Sequence, residues 1–589
     1  MTSPNPPQSL WDRAMAMQAA GQRDKAIDLV RVHLKLRPKD SEAVNLMGVL
    51  LQGAGQLEES ERWLRRAISL NPRNAAALNN LGVTLAHAGR RAESIEAWQH
   101  AARVQPTYPL PWISLAQAYP QVNESTRGVE AGHHAIGLAP DAPAAHANLA
   151  FALFQAGRPD EALVASRSAI DRMPAEPRLH SAYLLMTNYL PRPASEVLEA
   201  HRSFGRACAA RRPSAATDPS PDRTIRLGIV SGDLRDHSVG FFAEALLAHR
   251  PAGVEAVFFP TGMSPAGDPV ASRIKGLFER TVDAWMLNDQ AFDEAIRAER
   301  IDVLVELSGH TGGNRLTALA SKPAPVIVSA IGYPNTTGLP AVDWRVVDSI
   351  TDPPGAEAFC TERLMRLDPC FLCYRPPDLE VEPAMPAPGP VTFGSFNNSA
   401  KIGAECTALW ARVLQAVPGS RLLVKTQTLA DPAVQQAIRR RLAEGGIAED
   451  RVELIAQSST RAEHLALYGR VHVALDSIPY NGTTTTCEAL WMGVPVVALL
   501  GDRHASRVSA SLLSAAGHPE WVADDADGFV RIAASLAGDL PRLASIRTSL
   551  RGELRASPLL DSKAYARRFH AAIRECWRSW CASQRPAGT

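Results

Sequence analysis

The sequence comprises 589 residues, of which 46% are hydrophobic and 21% are charged, and its formal net charge is +1 at pH 7. This length predicts about three globular domains rather than one. Nucleic acids are bound by clustered Lys and Arg, and the sequence has no such cluster, so we expect no nucleic-acid partner. No apolar run approaches the roughly 20 residues that span a bilayer, so we expect no membrane association.

The cysteine pattern and the first residues bear on metal binding and compartment. Cysteines are scattered, and only Cys370 and Cys373 form a C-x-x-C pair. A zinc site needs further ligands, so we interpret this pair as two half-buried thiols on a strand. The polar, Pro-rich start MTSPNPPQSLWDRAM is not typical of a signal peptide. Together these features predict a cytoplasmic protein without a bound metal.

A repeat occupies residues 7–176. Prolines recur every 34 residues from Pro38 to Pro174, which is the period of tetratricopeptide repeats. The turn position of each repeat carries a small residue: Gly21, Gly55, Gly89, Asn123 and Gly157. We therefore expect five helix pairs that stack into a right-handed superhelix with a concave groove.

Two asparagines indicate what the groove binds. Asn80 and Asn148 occupy the same repeat position, on the first helix of a pair, where side chains face the groove. An amide can hydrogen-bond a peptide backbone of any sequence. Since only two repeats carry this residue, ordinary exposed asparagine is the alternative. We predict that Asn80 and Asn148 contact a bound protein or peptide.

The sequence pattern changes after the repeats. Short β-branched runs alternate with helices, which predicts parallel sheets built from βαβ units. The composition first indicates a helical extension and linker at 177–224, in which we expect helix to residue 210 and linker at 211–223. A Rossmann-like half at 225–374, a Pro-rich linker at 375–390 and a second Rossmann-like half at 391–582 follow. The predicted fold class is an α-solenoid of tetratricopeptide repeats followed by an α/β region of two Rossmann-like domains.

Nine segments are expected as strands. In chain order they are Ile225–Ser231, Glu255–Pro260, Ile301–Leu307, Pro325–Gly332, Val391–Phe396, Arg421–Lys425, Arg451–Ile455, Val471–Leu475 and Val494–Leu499. Neither half carries G-x-G-x-x-G or a Walker A loop, so dinucleotide redox and NTPase chemistry are not expected. The D-x-D at 525–527 is interpreted as a surface turn rather than a metal site.

Polar side chains follow several predicted strands. Five stretches share this placement: 231–242 with His237, 306–315 with His310, 332–343, 393–402 with Asn397, Asn398 and Lys401, and 480–495. One histidine after a strand is more often a loop cap than a catalyst. Because the carboxyl ends of parallel strands form one rim, the convergence of five loops favours a ligand cleft.

The stretch YNGTTTTCEALWMGVP at 480–495 joins a turn dipeptide to a helix expected at 485–492. The first turn of a helix has N–H groups without partners and a positive dipole end, so a phosphate binds there without a metal. One threonine would suffice as a cap, and four hydroxyls suggest more. Glu488, one turn in, is placed to bond a ribose, and Lys401 is placed to neutralise a diphosphate.

These motifs carry a resemblance. The stretches LVELSGHTGGNR, IGYPNTTGLPAVDWRVVDSITDPPG, RLDPCFLCY, VTFGSFNNSAKI and PYNGTTTTCEALWMGVPVV resemble the catalytic region of the O-GlcNAc transferase/SPINDLY family, glycosyltransferase family 41. The resemblance runs from about residue 225 to about residue 580. It implies a GT-B catalytic region of two Rossmann-like domains and an inverting, metal-independent transfer of a sugar from a nucleotide to Ser or Thr of a protein.

The resemblance also implies roles for individual residues. Lys401 matches the lysine that holds the diphosphate, Thr484 and Thr485 match paired threonines at a helix N-terminus, Glu488 matches an acidic residue near the ribose, and His237 matches a cleft histidine proposed as a base. His310, in its G-H-T context, is shared with SPINDLY proteins. The expected catalytic residues are Lys401, His237 and His310, and the expected nucleotide-sugar ligands are Asn397, Asn398, Thr483, Thr484, Thr485 and Glu488.

Thr483 and Glu488 place the chain nearest to the SPINDLY-like branch, since O-GlcNAc transferases typically have His and Asp there. The donor is therefore either UDP-GlcNAc, the commoner co-substrate of the family, or GDP-fucose, the donor of plant SPINDLY. No cofactor other than this co-substrate is expected. Two alternatives stay open: a repeat scaffold with a decayed catalytic half, and a transferase of another activated sugar to a flagellar or surface protein.

Overall fold

The computed structural model describes residues 9–19, 22–208, 218–265, 267–456 and 458–584. Gly21 and residues 211–217 of the expected linker lie outside the described residues. The chain divides into two compact units, Met1–Ala152 and Leu153–Thr589. Within the described part, no helix combines the length and apolar character that crossing a membrane requires.

Helices follow one another through the repeat region and its extension. They are α1 (Leu10–Ala19), α2 (Arg23–Leu36), α3 (Ser41–Gly53), α4 (Leu57–Leu70), α5 (Ala75–His87), α6 (Arg91–Val104), α7 (Pro109–Ala118), α8 (Ser125–Leu138), α9 (Pro143–Gln155), α10 (Pro159–Arg172), α11 (Pro177–Thr187) and α12 (Ala194–Ala207).

The turns inside the helix pairs explain the repeat pattern. Gly55, Gly89 and Gly157 have φ values of 76°, 77° and 70°, and Asn123 has φ 62°. This left-handed backbone costs glycine little, and asparagine is among the few other residues that adopt it readily. The predicted equivalence of Asn123 with the glycines is therefore confirmed.

One expected helix is interrupted. Residues 177–210 were expected to continue as helix, but α11 ends at Thr187 and α12 begins at Ala194. Pro191 and Pro193 lie in the gap. Proline lacks an N–H and clashes with the preceding helical turn, so the helix cannot run through this segment.

Two parallel sheets follow in the second unit. The first contains β1 (Ile225–Ser231), β2 (Val254–Pro260), β3 (Arg280–Thr281), β4 (Val303–Glu306), β5 (Val326–Ser329), β6 (Trp344–Val347) and β7 (Arg363–Arg366), and the second contains β8 (Thr392–Ser395), β9 (Arg421–Lys425), β10 (Val452–Ile455), β11 (Val473–Leu475), β12 (Val496–Leu499) and β13 (Val522–Ala523).

The strand order positions the functional loops. The first sheet runs β3-β2-β1-β4-β5-β6-β7 and the second runs β10-β9-β8-β11-β12-β13. In each sheet the order reverses beside its first strand, so the loops after β1 and β4, and after β8 and β11, diverge there. Such switch points at the carboxyl ends of strands are where doubly wound sheets bind ligands.

Helices cover both sheets. They are α13 (Ser238–Leu247), α14 (Pro269–Lys275), α15 (Asp289–Ala298), α16 (Leu316–Leu319), α17 (Ala404–Ala416), α18 (Pro432–Glu444), α19 (Arg461–Ala466), α20 (Thr484–Trp491), α21 (Val508–Ala515), α22 (Ala526–Ala537), α23 (Leu540–Ala556) and α24 (Ser562–Ser583).

Buried polar contacts join the two halves. The Asp352 carboxylate, in the first half, lies 3.2 Å from the Arg345 guanidinium and 2.5 Å from Nδ1 of His504, in the second half. All three side chains are buried. The last helix returns to the first half, where His570 Nε2 donates to the Leu246 carbonyl at 2.8 Å.

Two local expectations are wrong. Cys370 and Cys373 are fully buried and lie in an irregular segment after β7 rather than half-buried on a strand. Burial raises the pKa of each thiol to about 12. The D-x-D segment is a helix start rather than a surface turn, because Asp525 accepts a hydrogen bond from the Gly528 N–H and caps α22.

Candidate functional site

Lys401 lies in the loop after β8, at the switch point of the second sheet. Asn398 shapes this loop, since its Oδ1 accepts from the Ala400 N–H at 2.9 Å. The Lys401 ammonium donates to the Asn481 carbonyl at 2.6 Å and lies 3.8 Å from the centre of the Tyr480 ring. Burial lowers the pKa of Lys401 to about 8, and the charge of Asp476 opposes this effect.

The start of α20 faces the same loop. Thr483 occupies the N-cap position, but its side chain makes no capping hydrogen bond. The Thr484 hydroxyl is buried and has no hydrogen-bond partner among the described residues. Thr485 donates to Asn397 Oδ1 at 2.9 Å, which fastens the helix start to the loop after β8. The first turn of α20 therefore keeps donors that an anion can use.

Asp476 holds the turn between β11 and α20. Its Oδ1 accepts from the N–H groups of Ser477 at 2.8 Å and Gly482 at 2.7 Å. The carboxylate is buried, and burial raises its pKa. Together these bonds fix the Asn-Gly turn, which supplies the Asn481 carbonyl to Lys401.

Glu488 belongs to a network of charges. One carboxylate oxygen lies 2.9 Å from Arg461 and the other 2.9 Å from His464 Nε2. The Lys425 ammonium donates to His464 Nδ1 at 2.8 Å, so Nε2 carries the hydrogen that bonds Glu488. Arg461 also contacts Asp236 of the first half at 3.1 Å. Glu488 is thus already paired, and any contact with a ribose would be shared with these partners.

The sequence patterns missed Arg461, His464 and Lys425. Lys425 is the last residue of β9, so its position at a strand end was a usable signal. Arg461 and His464 are three residues apart on α19 and therefore share a helix face. That spacing is common on exposed helices, and only the fold shows that this face meets Glu488.

His237 lies in the loop after β1 and caps α13. Its Nδ1 accepts from the Val239 N–H at 3.3 Å and lies 3.8 Å from the Asp233 carboxylate. Burial lowers the pKa of His237, although the charge of Asp233 opposes the effect. In this neutral tautomer Nε2 carries the hydrogen, so it can donate to a hydroxyl but cannot take its proton. The neighbouring Asp236 pairs with Arg461 and links this loop to the second half.

His310 has a different environment. The ring is buried, Nε2 donates to the Thr337 carbonyl at 2.8 Å, and Nδ1 lies 2.8 Å from the Ser181 hydroxyl on α11. Burial lowers its pKa well below the ordinary value. Since both nitrogens are engaged, His310 fastens the helical extension to the first sheet in this structure and presents no free nitrogen to a substrate.

The two groove asparagines link neighbouring repeats. Asn80 Nδ2 donates to Asn45 Oδ1 at 3.0 Å, and Asn148 Nδ2 donates to the Ile113 carbonyl at 2.8 Å. Each amide therefore holds the helix of the preceding repeat. Their contact with a peptide remains a prediction.

No group of three or more His, Cys, Asp or Glu side chains in the described ranges is arranged to hold a metal ion. The candidate site consists of Lys401, the hydroxyl-bearing start of α20, and Glu488 with its partners Arg461 and His464.

Similarity to known proteins agrees with this arrangement. The profile of glycosyl transferase family 41 matches residues 211–374 and 384–569, and tetratricopeptide repeat profiles match 41–74, 74–105 and 143–168. The chain belongs to glycosyl transferase family 41. Lys401, Thr484 and Glu488 all fall inside the family 41 match.

Curated relatives of this chain include plant proteins. SPINDLY of Oryza sativa subsp. japonica, named a probable UDP-N-acetylglucosamine–peptide N-acetylglucosaminyltransferase, is 38% identical over 416 residues, which are 69% of this chain and 45% of that protein. SPINDLY of Arabidopsis thaliana, with the same name, is 38% identical over 415 residues, with the same two coverages. The matched segment thus spans less than half the length of these curated relatives.

A similar solved structure covers more of the chain. A mutant of the Thermobaculum terrenum O-GlcNAc transferase shares 33% identity with a TM-score of 0.71, and the alignment covers 92% of this chain and 98% of that one. With the two parallel sheets and the helical repeats, this similarity shows a repeat solenoid joined to a region of the GT-B type.

Proposed function

We propose that this family 41 chain is a protein O-glycosyltransferase that moves a sugar from a nucleotide sugar to Ser or Thr of a protein acceptor. The observation that carries the proposal is the pairing of Lys401 with an uncapped helix start, where the Thr484 hydroxyl lacks a partner. One ammonium and a set of unpaired donors suit a diphosphate, which gains negative charge as it leaves.

The proposed reaction is a single displacement. The acceptor hydroxyl attacks the anomeric carbon from the side opposite the diphosphate, a new C–O bond forms and the bond to the diphosphate oxygen breaks. The configuration at that carbon is inverted. Lys401 and the first turn of α20 stabilise the leaving diphosphate without a metal ion. His237 positions the hydroxyl by donating from Nε2, and a phosphate oxygen accepts the hydroxyl proton.

The donor follows from two separate considerations. The names of the SPINDLY relatives and of the solved transferase support UDP-GlcNAc. The pair Thr483 and Glu488, which resembles the SPINDLY-like branch, supports GDP-fucose. We propose that one of these two is the donor, and that the repeat groove holds the protein acceptor. Competition between UDP and GDP at one site decides between them.

Labelled transfer tests the proposal. The purified chain is incubated with radiolabelled UDP-GlcNAc or GDP-fucose and a mixture of Ser/Thr-containing proteins, with and without EDTA. We expect label on protein from one donor, unaffected by EDTA, and a product of inverted anomeric configuration by NMR. Loss of transfer in EDTA would contradict metal independence, and a retained configuration would contradict the single displacement.

Nucleotide binding separates the enzyme from a scaffold. For the enzyme, UDP or GDP at millimolar concentration raises the melting temperature, since a ligand that binds only the folded state stabilises it. The rise should be lost in Lys401→Met and kept in the control Lys563→Met, which changes an exposed lysine of α24. No rise with either nucleotide would favour the scaffold.

A further inference from the structure

An aromatic row leads to Lys401 from the last repeat. The ring of Phe154, at the end of α9, contacts Tyr189 edge-on with ring centres 4.6 Å apart. Tyr189, between α11 and α12, lies 4.8 Å from Tyr480. The Tyr480 ring in turn lies beneath the Lys401 ammonium at 3.8 Å. All four residues belong to the second compact unit.

The same repeat contacts the lysine loop from another direction. The Arg441 guanidinium donates to the Ile402 carbonyl at 2.7 Å and to the Gly157 carbonyl at 2.6 Å. Gly157 has φ 70° and forms the turn between α9 and α10. A Cβ at Gly157 would lie 3.7 Å from the Ser399 hydroxyl, in the turn that carries Lys401. The last repeat thus contacts this loop directly.

We propose that Tyr480 and Tyr189 are positioning residues that hold the Lys401 ammonium in place for the diphosphate, so that the end of the repeat region forms part of the catalytic site. This inference rests on the proposed function. It predicts that changes at Tyr189 alter the chemical step even when no protein acceptor takes part.

Physical chemistry supports a positioning role for the ring. A cation over an aromatic face is attracted to it, by about 0.5–2 kcal/mol as burial increases. The groups that face the ammonium are the Asn481 carbonyl, the Tyr480 ring and the charge of Asp476. Of these three groups, only the Tyr480 ring contacts a second aromatic ring, that of Tyr189, which fixes the plane of the Tyr480 ring. Removing either ring therefore weakens the hold on the ammonium, which keeps its hydrogen bond to the Asn481 carbonyl and, at pH 7, most of its charge.

The test measures donor hydrolysis without an acceptor, together with the ionisation of Lys401. The variants are Tyr480→Leu, Tyr480→Phe and Tyr189→Leu. The matched control is Phe278→Leu, which removes a ring stacked at 5.0 Å on Phe258 of the first sheet. Lysine is rare in this chain, so the Lys401 side-chain signal can be assigned by NMR from its absence in Lys401→Met.

We expect kcat for hydrolysis to fall about tenfold in Tyr480→Leu and severalfold in Tyr189→Leu, while KM changes less. The pKa of Lys401 should fall by about half a unit in Tyr480→Leu, because the ring favours the charged form. Tyr480→Phe keeps the ring face and should resemble the unchanged protein, as should Phe278→Leu.

Three results would overturn the inference: unchanged kcat and Lys401 ionisation in Tyr480→Leu, an equal loss in Tyr480→Phe, or an equal loss in Phe278→Leu. Failure of the proposed function is distinguishable. If the unchanged protein hydrolyses neither donor, or if Lys401→Met keeps full activity, the assigned chemistry is wrong. The NMR titration then still decides whether the rings position the lysine.

Discussion

Replacing Lys401 by methionine should make the nucleotide-free protein more stable while abolishing its activity. Burial lowers the pKa of Lys401 from 10.5 to about 8. Such a change means that holding the charged form in the folded state costs roughly 3 kcal/mol. Lys401 is only partly buried, and the variant loses the hydrogen bond to the Asn481 carbonyl. The variant also exchanges the cation–π contact with Tyr480 for a thioether–ring contact. After these discounts we expect Lys401→Met to gain about 1 kcal/mol at pH 7.

The stability gained by Lys401→Met should decrease as the pH rises. Between pH 8 and pH 10.5, Lys401 is largely neutral in the folded state and still charged in the unfolded state. The unfolded state then binds more protons, so the stability of the unchanged protein rises with pH. The advantage of Lys401→Met is therefore full below pH 8 and disappears as the pH approaches 10.5.

Urea denaturation without nucleotide, at pH 7 and at pH 9.5, measures this difference, and Lys563→Met serves as the exposed control. Saturating nucleotide should reverse the order of stability, because only the protein with Lys401 gains the full binding energy. The reasoning is refuted if Lys401→Met is less stable than the unchanged protein at pH 7 without nucleotide. It is equally refuted if the difference does not vary with pH.

Two further predictions use matched pairs of variants. Gly338→Ala should lower the free energy of unfolding by about 3 kcal/mol or more, because φ is +71° and a Cβ would overlap the His201 carbonyl oxygen. The control Gly355→Ala, with φ +98° in open space, should lower it by only about 1 kcal/mol. Melting temperatures compare the two variants, and equal losses of stability would contradict the packing of α12 on the first half. Glu488→Gln should weaken nucleotide binding about tenfold in calorimetry, since it breaks the bonds of the carboxylate to Arg461 and His464. The control Glu405→Gln, at an exposed position of α17, should leave the affinity unchanged. Unaltered affinity in Glu488→Gln would contradict its assignment to the site.

Periodic features of the fold could be predicted from the sequence. The 34-residue spacing located the helix pairs, and it also placed Asn123 at a turn, in agreement with the tolerance of asparagine for left-handed backbone. Buried aliphatic runs located β1 and β9 with their observed bounds. The short strands β6 and β7 were not predicted, because each has only two consecutive apolar residues beside an arginine.

Only some residues of the candidate site could be predicted from the sequence. Lys401 and the α20 threonines were recognisable because a strand end and a helix start require special residues. The partners of Glu488 were not, since Arg461 and His464 look like ordinary surface residues until the fold brings them within hydrogen-bond distance of Glu488 on α20. His310 shows a different limit: its place after a strand suggested catalysis, and the sequence did not indicate that the ring is buried with both nitrogens hydrogen-bonded; its catalytic role stays a prediction.

The most direct test of the central claim is sugar transfer by the unchanged protein beside Lys401→Met and Lys563→Met. Each protein is given the same labelled donor and acceptor, and the label on protein is counted over a time course. The account predicts transfer by the unchanged protein and by Lys563→Met, and a loss of about a hundredfold or more in Lys401→Met. Equal transfer by all three proteins would contradict the assignment of Lys401 and the α20 helix start to the leaving diphosphate.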